Sequence, residues 1–195
     1  MNNLAGDHLA LGDYEAEGAD YEALLRFDGS VSLRERAIDL YHERLFKFDR
    51  ALELDREVVQ IEVRQKSATV GAQMNLDEAM LTAGDFTFCA APALPHEHAS
   101  FTASQDLIED TLDLACFWGA GNKHAALAME RELLSKGPVL QKDSWVFTGT
   151  LHFLSISPAF EKGRVAWIAL FTAVQDGDAV GMTKALHELE PLMQN

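Results

Sequence analysis

Asp106, Glu109, Asp110 and Asp113 stand at positions i, i+3, i+4 and i+7, a spacing that sets four carboxylates along one stripe of a helix. Carboxylates held together repel one another, so the stripe calls for positive charge: Lys or Arg side chains of a partner, or a divalent cation. The helix dipole accounts only for Asp106, near the positive N-terminal end, since Glu109 and Asp113 lie further along. Local sequence offers no relief, because Ser67 to Asn122 holds eight acids and no Lys or Arg. The plain alternative is a solvated face in a chain with acid to spare.

Metal chemistry has its own candidates. In an extended stretch, His96-Glu97-His98 puts two imidazoles on one side, a spacing that metal sites use, and Glu109 and Asp113 are the carboxylates that would complete the set. Pro95 just before favours an exposed loop, in which two histidines beside a glutamate are ordinary surface. His152 sits among apolar neighbours as core histidines do, whereas His42 and His187 read as surface-side positions. The chain contains no Gly-x-Ser-x-Gly elbow, no P-loop and no Gly-x-Gly-x-x-Gly after a strand. It therefore reads as a non-enzymatic protein without a cofactor.

Charge narrows the class of partner. With 31 acids against 16 Lys and Arg the formal charge is −15, which disfavours nucleic acid and anionic membrane, since both recruit Lys and Arg to negative surfaces. A basic protein is the expected partner, steered to Asp106, Glu109, Asp110 and Asp113 with the N-terminal acids in support, in the manner of an inhibitor, immunity protein, chaperone or adaptor. The alternative is a helical metal- or small-ligand-binding domain, enzymes included, that uses His96, His98, Glu109 and Asp113. Cys89 and Cys116, each among apolar residues, read as free thiols in a reducing cytoplasm. The opening residues lack the form of a secretion signal, and no later stretch reaches the roughly 18 apolar residues of a membrane span. Oligomeric state leaves no mark in the sequence.

The elements that must position these residues read as all-α, an array of antiparallel helical hairpins. Residues 1–30 carry seven acids against the single base Arg26 and suit an acidic arm or loosely docked segment, leaving 31–195 as one helical domain. Ser32-Leu33-Arg34-Glu35 has the form of a capping box that opens a long helix, with Ile38, Tyr41, Leu45, Phe48 and Leu52 as its apolar stripe. Val58, Val59, Ile61 and Val63 leave a short β segment near 57–64 open beside a continuing helix. Asn75 to Ala83 reads as a short helix. Residues 144–157 fit strand or helix, with the neighbouring hairpins favouring helix. Two helix pairs, Thr102–Lys136 and Gly163–Gln194, share a helix, tight turn, helix plan.

Overall fold

The computed structural model describes residues 12–65, 70–90, 102–136 and 145–194. All regular structure among them is helical, with no strand. The chain divides into two compact units, Met1–Ala79 and Met80–Asn195, so the boundary expected at residue 30 falls inside the first unit.

In the first unit α1 spans Tyr14–Leu25, α2 Val31–Glu43 and α3 Phe48–Gln65, and α4, Val70–Thr82, crosses into the second. α1 is capped by Asp13, whose carboxylate accepts from Ala16 N, and is tied to α2 by Tyr41. The Tyr41 hydroxyl donates to Gly18 O at 3.1 Å and to Glu22 Oε1 at 2.8 Å. Ala37, Ile38 and Tyr41 of α2 pack on Ala51, Leu54 and Val58 of α3, flanked by Tyr21 and Leu25 of α1.

The single long helix expected after Ser32 is two. The first begins at Val31, with Ser30 as a cap residue whose side chain makes no capping bond. It ends at Glu43, and Phe46 takes a left-handed backbone, φ 51°, before α3 starts. No Gly or Pro marks that turn, so an apolar stripe running through it looks continuous. Residues 57–64 lie inside α3. Its buried positions Ala51, Leu54, Asp55, Val58 and Glu62 recur at steps of three and four, a helical face that outweighs β-branched preference.

The second unit continues with α5, Phe86–Cys89, α6, Ala103–Gly119, α7, Lys123–Lys136, α8, Thr148–Ile156, a 3-10 turn at Pro158–Phe160, α9, Arg164–Asp176, and α10, Ala179–Gln194. Here the local signals hold closely. Thr102 and Gln105 form a reciprocal capping box. Asn122 Oδ1 accepts from Ala125 N at the start of α7. Gly177, with φ 68°, closes α9, and Asp178 Oδ1 accepts from Gly181 N to open α10. As hairpins should, α6 packs on α7 and α9 on α10, while α7 also packs on α10. The core gathers round Trp167, fully buried, with the Phe160 ring 5.3 Å and the Trp118 ring 5.9 Å away.

Cys89 of α5 and Cys116 of α6 are joined by a disulfide, which corrects the reading of two free thiols. Both are buried, and their apolar neighbours, taken from sequence as reason for inert thiols, are also what brings α5 onto α6. The close approach needs Gly119: a Cβ there would lie 2.5 Å from the Phe86 ring.

Candidate functional site

Helix α6 does set Asp106, Glu109, Asp110 and Asp113 along one stripe, but the stripe does not lie in water. Glu109 is 0% exposed and Asp110 2%, with Asp106 and Asp113 at intermediate exposure. Leu107, Ile108, Thr111 and Leu112 are buried beside them, so the buried arc of α6 is wide enough to take in the middle of the stripe. Asp110 pairs with Lys136 at the end of α7. Burial raises the Asp110 carboxyl above its ordinary range while the Lys136 ammonium pulls it back. Lys136 is itself raised, because the contact with Asp110 outweighs its own partial desolvation. The expected water-facing carboxylate face is therefore corrected: its centre is interior and uses one of the chain's own lysines. Asp106 and Asp113 remain at the rim, seven residues and thus about 10 Å apart along the helix.

Two of the N-terminal acids, Glu15 and Glu22, also pair with the chain's own bases. Lys47 reaches Glu15 at 2.6 Å and Arg50 reaches Glu22 at 2.8 Å, while Glu17 is buried. The Arg50 guanidinium holds the Glu22 carboxyl below the usual carboxylate range. On the neighbouring face Arg34 pairs with Glu57 at 2.7 Å.

Across both units the described residues bury Glu17, Asp55, Glu62, Asp77, Glu78, Glu109, Asp110 and Glu130, but no Lys or Arg. Burying a carboxylate is costly, so these positions are the chemically informative ones. On α7, Glu130 is fully buried with no hydrogen bond to either carboxylate oxygen among the described residues. Burial first, then Glu190, pushes its carboxyl above the ordinary range, and His187 and Arg131 offset only part of that rise.

Of the metal-ligating candidates, His96 and His98 lie outside the described residues, and Glu109 is closed in on α6. Among the described residues it is His42, Glu43 and Glu78 that bring three donor atoms together, all within 4.8 Å of one another. The reading of His42 as a surface-side residue is thus corrected. It is 6% exposed, its Nδ1 lies 2.7 Å from Glu43 Oε1, and the Phe48 ring meets its edge at a centroid distance of 5.5 Å. Burial opposes a charge on this imidazole, yet Glu43, Glu78 and Asp55 together hold its pKa above the usual histidine value. Asp55 of α3 stands against the same group. It is 3% exposed, and its Oδ2 has no hydrogen-bond partner among the described residues. Burial pushes its carboxyl up to about 8, with Glu78 adding to the rise and His42 opposing it.

Sequence reasoning missed this group because its members are far apart in the chain and each looks ordinary alone. One signal was available: Asp55 and Glu62 occupy the apolar face of α3, four residues after Ala51 and Val58 respectively, where core side chains belong. Comparison with known protein families, with characterised proteins and with solved structures finds no match to this chain.

Proposed function

We propose that this chain is a non-enzymatic acidic binding domain of the inhibitor, immunity, chaperone or adaptor kind, and that its partner is a basic protein. The observation that carries the reading is the charge left over after the chain's own pairing. The first unit has 17 acids against 9 bases and the second 14 against 7, so both remain strongly negative. A surplus shared by both units suits a long-range field that steers a basic partner, because such fields add over the whole surface. Nucleic acid is disfavoured by the same surplus. No helix among the described residues is long and apolar enough to cross a membrane.

The contact surface belongs on the rim of the α6 stripe. Asp106 and Asp113, both of intermediate exposure, are the stripe members nearest the surface, and Glu109 and Asp110 contribute negative potential from beneath. The cytoplasmic location expected from the sequence belongs to this proposal, and the Cys89–Cys116 disulfide weighs against it. That bond suits an oxidising compartment better, and thiol titration of freshly isolated protein separates the two locations.

The test is kinetic. Association with an immobilised lysine-rich peptide is measured at low and high salt for the wild type and for Asp106→Lys with Asp113→Lys. The reading predicts fast, salt-sensitive association that the double variant slows by about tenfold or more. Equal on-rates for the two proteins reject the α6 rim as the contact surface.

A further inference from the structure

The first unit contains a group of side chains that partner binding leaves unexplained. His42 and Glu43 close α2 and Glu78 comes from the last turns of α4, and their donor atoms meet; Asp55, from the middle of α3, couples electrostatically to His42 and Glu78. We propose that His42, Glu43, Glu78 and Asp55 form a binding site for a single divalent transition-metal ion of the zinc, manganese or iron(II) class.

Three features support a built site rather than an accidental meeting of acids. The His42, Glu43 and Glu78 donor atoms lie within 4.8 Å of one another, whereas ligands of one ion at about 2.1 Å stand about 3.4 Å apart in a tetrahedron. Side-chain rotation of about an ångström closes the wider separations, and the 2.7 Å contact of His42 with Glu43 opens to admit the ion. The second feature is Asp55, a buried carboxylate with an oxygen that no described group satisfies and whose charge is felt by His42 and Glu78. A metal ion is the kind of partner such an oxygen lacks. The third is burial: His42, Asp55 and Glu78 are 6%, 3% and 5% exposed, and a dication offsets the cost of holding carboxylates in an interior.

Ligand chemistry sets the class of ion. Calcium takes six to eight oxygens, and magnesium keeps several waters in a strict octahedron, so neither makes good use of a buried imidazole. One nitrogen with two or three carboxylate oxygens suits the borderline ions, zinc, manganese and iron(II). Phe48 against the His42 ring gives the site an apolar wall. Glu43, with its side chain 24% exposed, is the member nearest water and so marks the entry side.

The experiment is calorimetric titration of the full chain, freed of metal by chelation, with ZnCl2, MnCl2 and CaCl2, repeated on His42→Gln, Glu78→Gln and Asp55→Asn. Circular dichroism confirms that each variant is folded. A His96→Ala, His98→Ala double variant serves as the control for the other histidines. The expected result is one Zn2+ or Mn2+ per chain, bound at least about tenfold more weakly by Glu78→Gln and His42→Gln, unchanged in the control, with Ca2+ far weaker. The proposal is overturned by folded wild-type protein that takes up neither ion. It is equally overturned by affinity that survives His42→Gln and Glu78→Gln, by binding lost only in the His96, His98 control, or by a preference for Ca2+. None of these outcomes touches the on-rate test of the α6 rim, so the two proposals stand or fall separately.

Discussion

Two groups of carboxylates, the α6 stripe in the second unit and the set around His42 in the first, show how differently acids are used in one chain. The stripe is contiguous in sequence and regular in spacing. Its middle is buried and met by Lys136 from the neighbouring helix, so part of it works as structure. The His42 group is scattered over three helices and has no spacing to announce it, yet it gathers an imidazole and carboxylates among buried residues. Helical spacing establishes which side chains share a face. Whether that face is wet depends on what packs against it, and only tertiary structure supplies that.

The sharpest way to break the comparison is to loosen the frame that buries the stripe. The disulfide fixes α5 on α6 across a sequence separation of 27 residues. Chain entropy then predicts that Cys89→Ser with Cys116→Ser lowers stability by about 3 to 4 kcal/mol, read from urea unfolding of oxidised wild type against the variant. A change below about 1 kcal/mol would mean that core packing alone holds α5 in place.

Next in size is the Asp110 to Lys136 pair. Breaking a buried pair leaves an uncompensated charge and costs about 3 to 5 kcal/mol. Lys136 is partly in water, so Lys136→Ala should cost about 2 kcal/mol after solvent screening. Replacing both partners, Asp110→Leu with Lys136→Met, should recover most of the loss. If Lys136→Ala proves neutral, the stripe is less interior than its exposure implies.

Glu130 gives a pH test within the second unit. Its carboxyl keeps a proton in the folded state to a higher pH than in the unfolded chain, where the ordinary value is 4.5. Stability from this group is therefore greatest below that value, falls as pH rises from it towards the raised folded pKa, and levels off above. The slope for one proton is at most about 1.4 kcal/mol per pH unit, and Glu130→Gln should flatten it in urea unfolding measured at successive pH values. An unchanged slope would mean that water reaches the carboxylate.

The smallest expected effect is at the rim. Asp106→Lys with Asp113→Lys should change stability by about 1 kcal/mol or less, mostly through Asp106 at the positive end of the helix, while changing association rate. A large loss of stability would place these two acids in the structural part of the stripe as well.

How much was legible in the sequence follows from which signals are local. Thr102 and Gln105, Asn122, Gly177 and Asp178 act through the backbone groups next to them, so their helix ends could be read directly and the hairpin plan of the second unit with them. The turn at Phe46 could not, because a non-glycine residue in a left-handed conformation leaves no compositional mark. The partners of the stripe and of His42 are likewise set by tertiary contacts: Lys136 is 26 residues from Asp110, and Glu78 is brought to His42 by packing. Cys89 and Cys116 show the same limit, since apolar neighbours describe a buried thiol and a buried disulfide equally well.

A single measurement confronts the two regions with the same cation. Mn2+ bound to the isotopically labelled full chain broadens nearby amide signals through its unpaired electrons, and the broadened set locates the ion. The account predicts that loss of signal is strongest around His42, Asp55 and Glu78 and is abolished by Glu78→Gln. Broadening centred on α6, or spread evenly over the acidic surface, would contradict it.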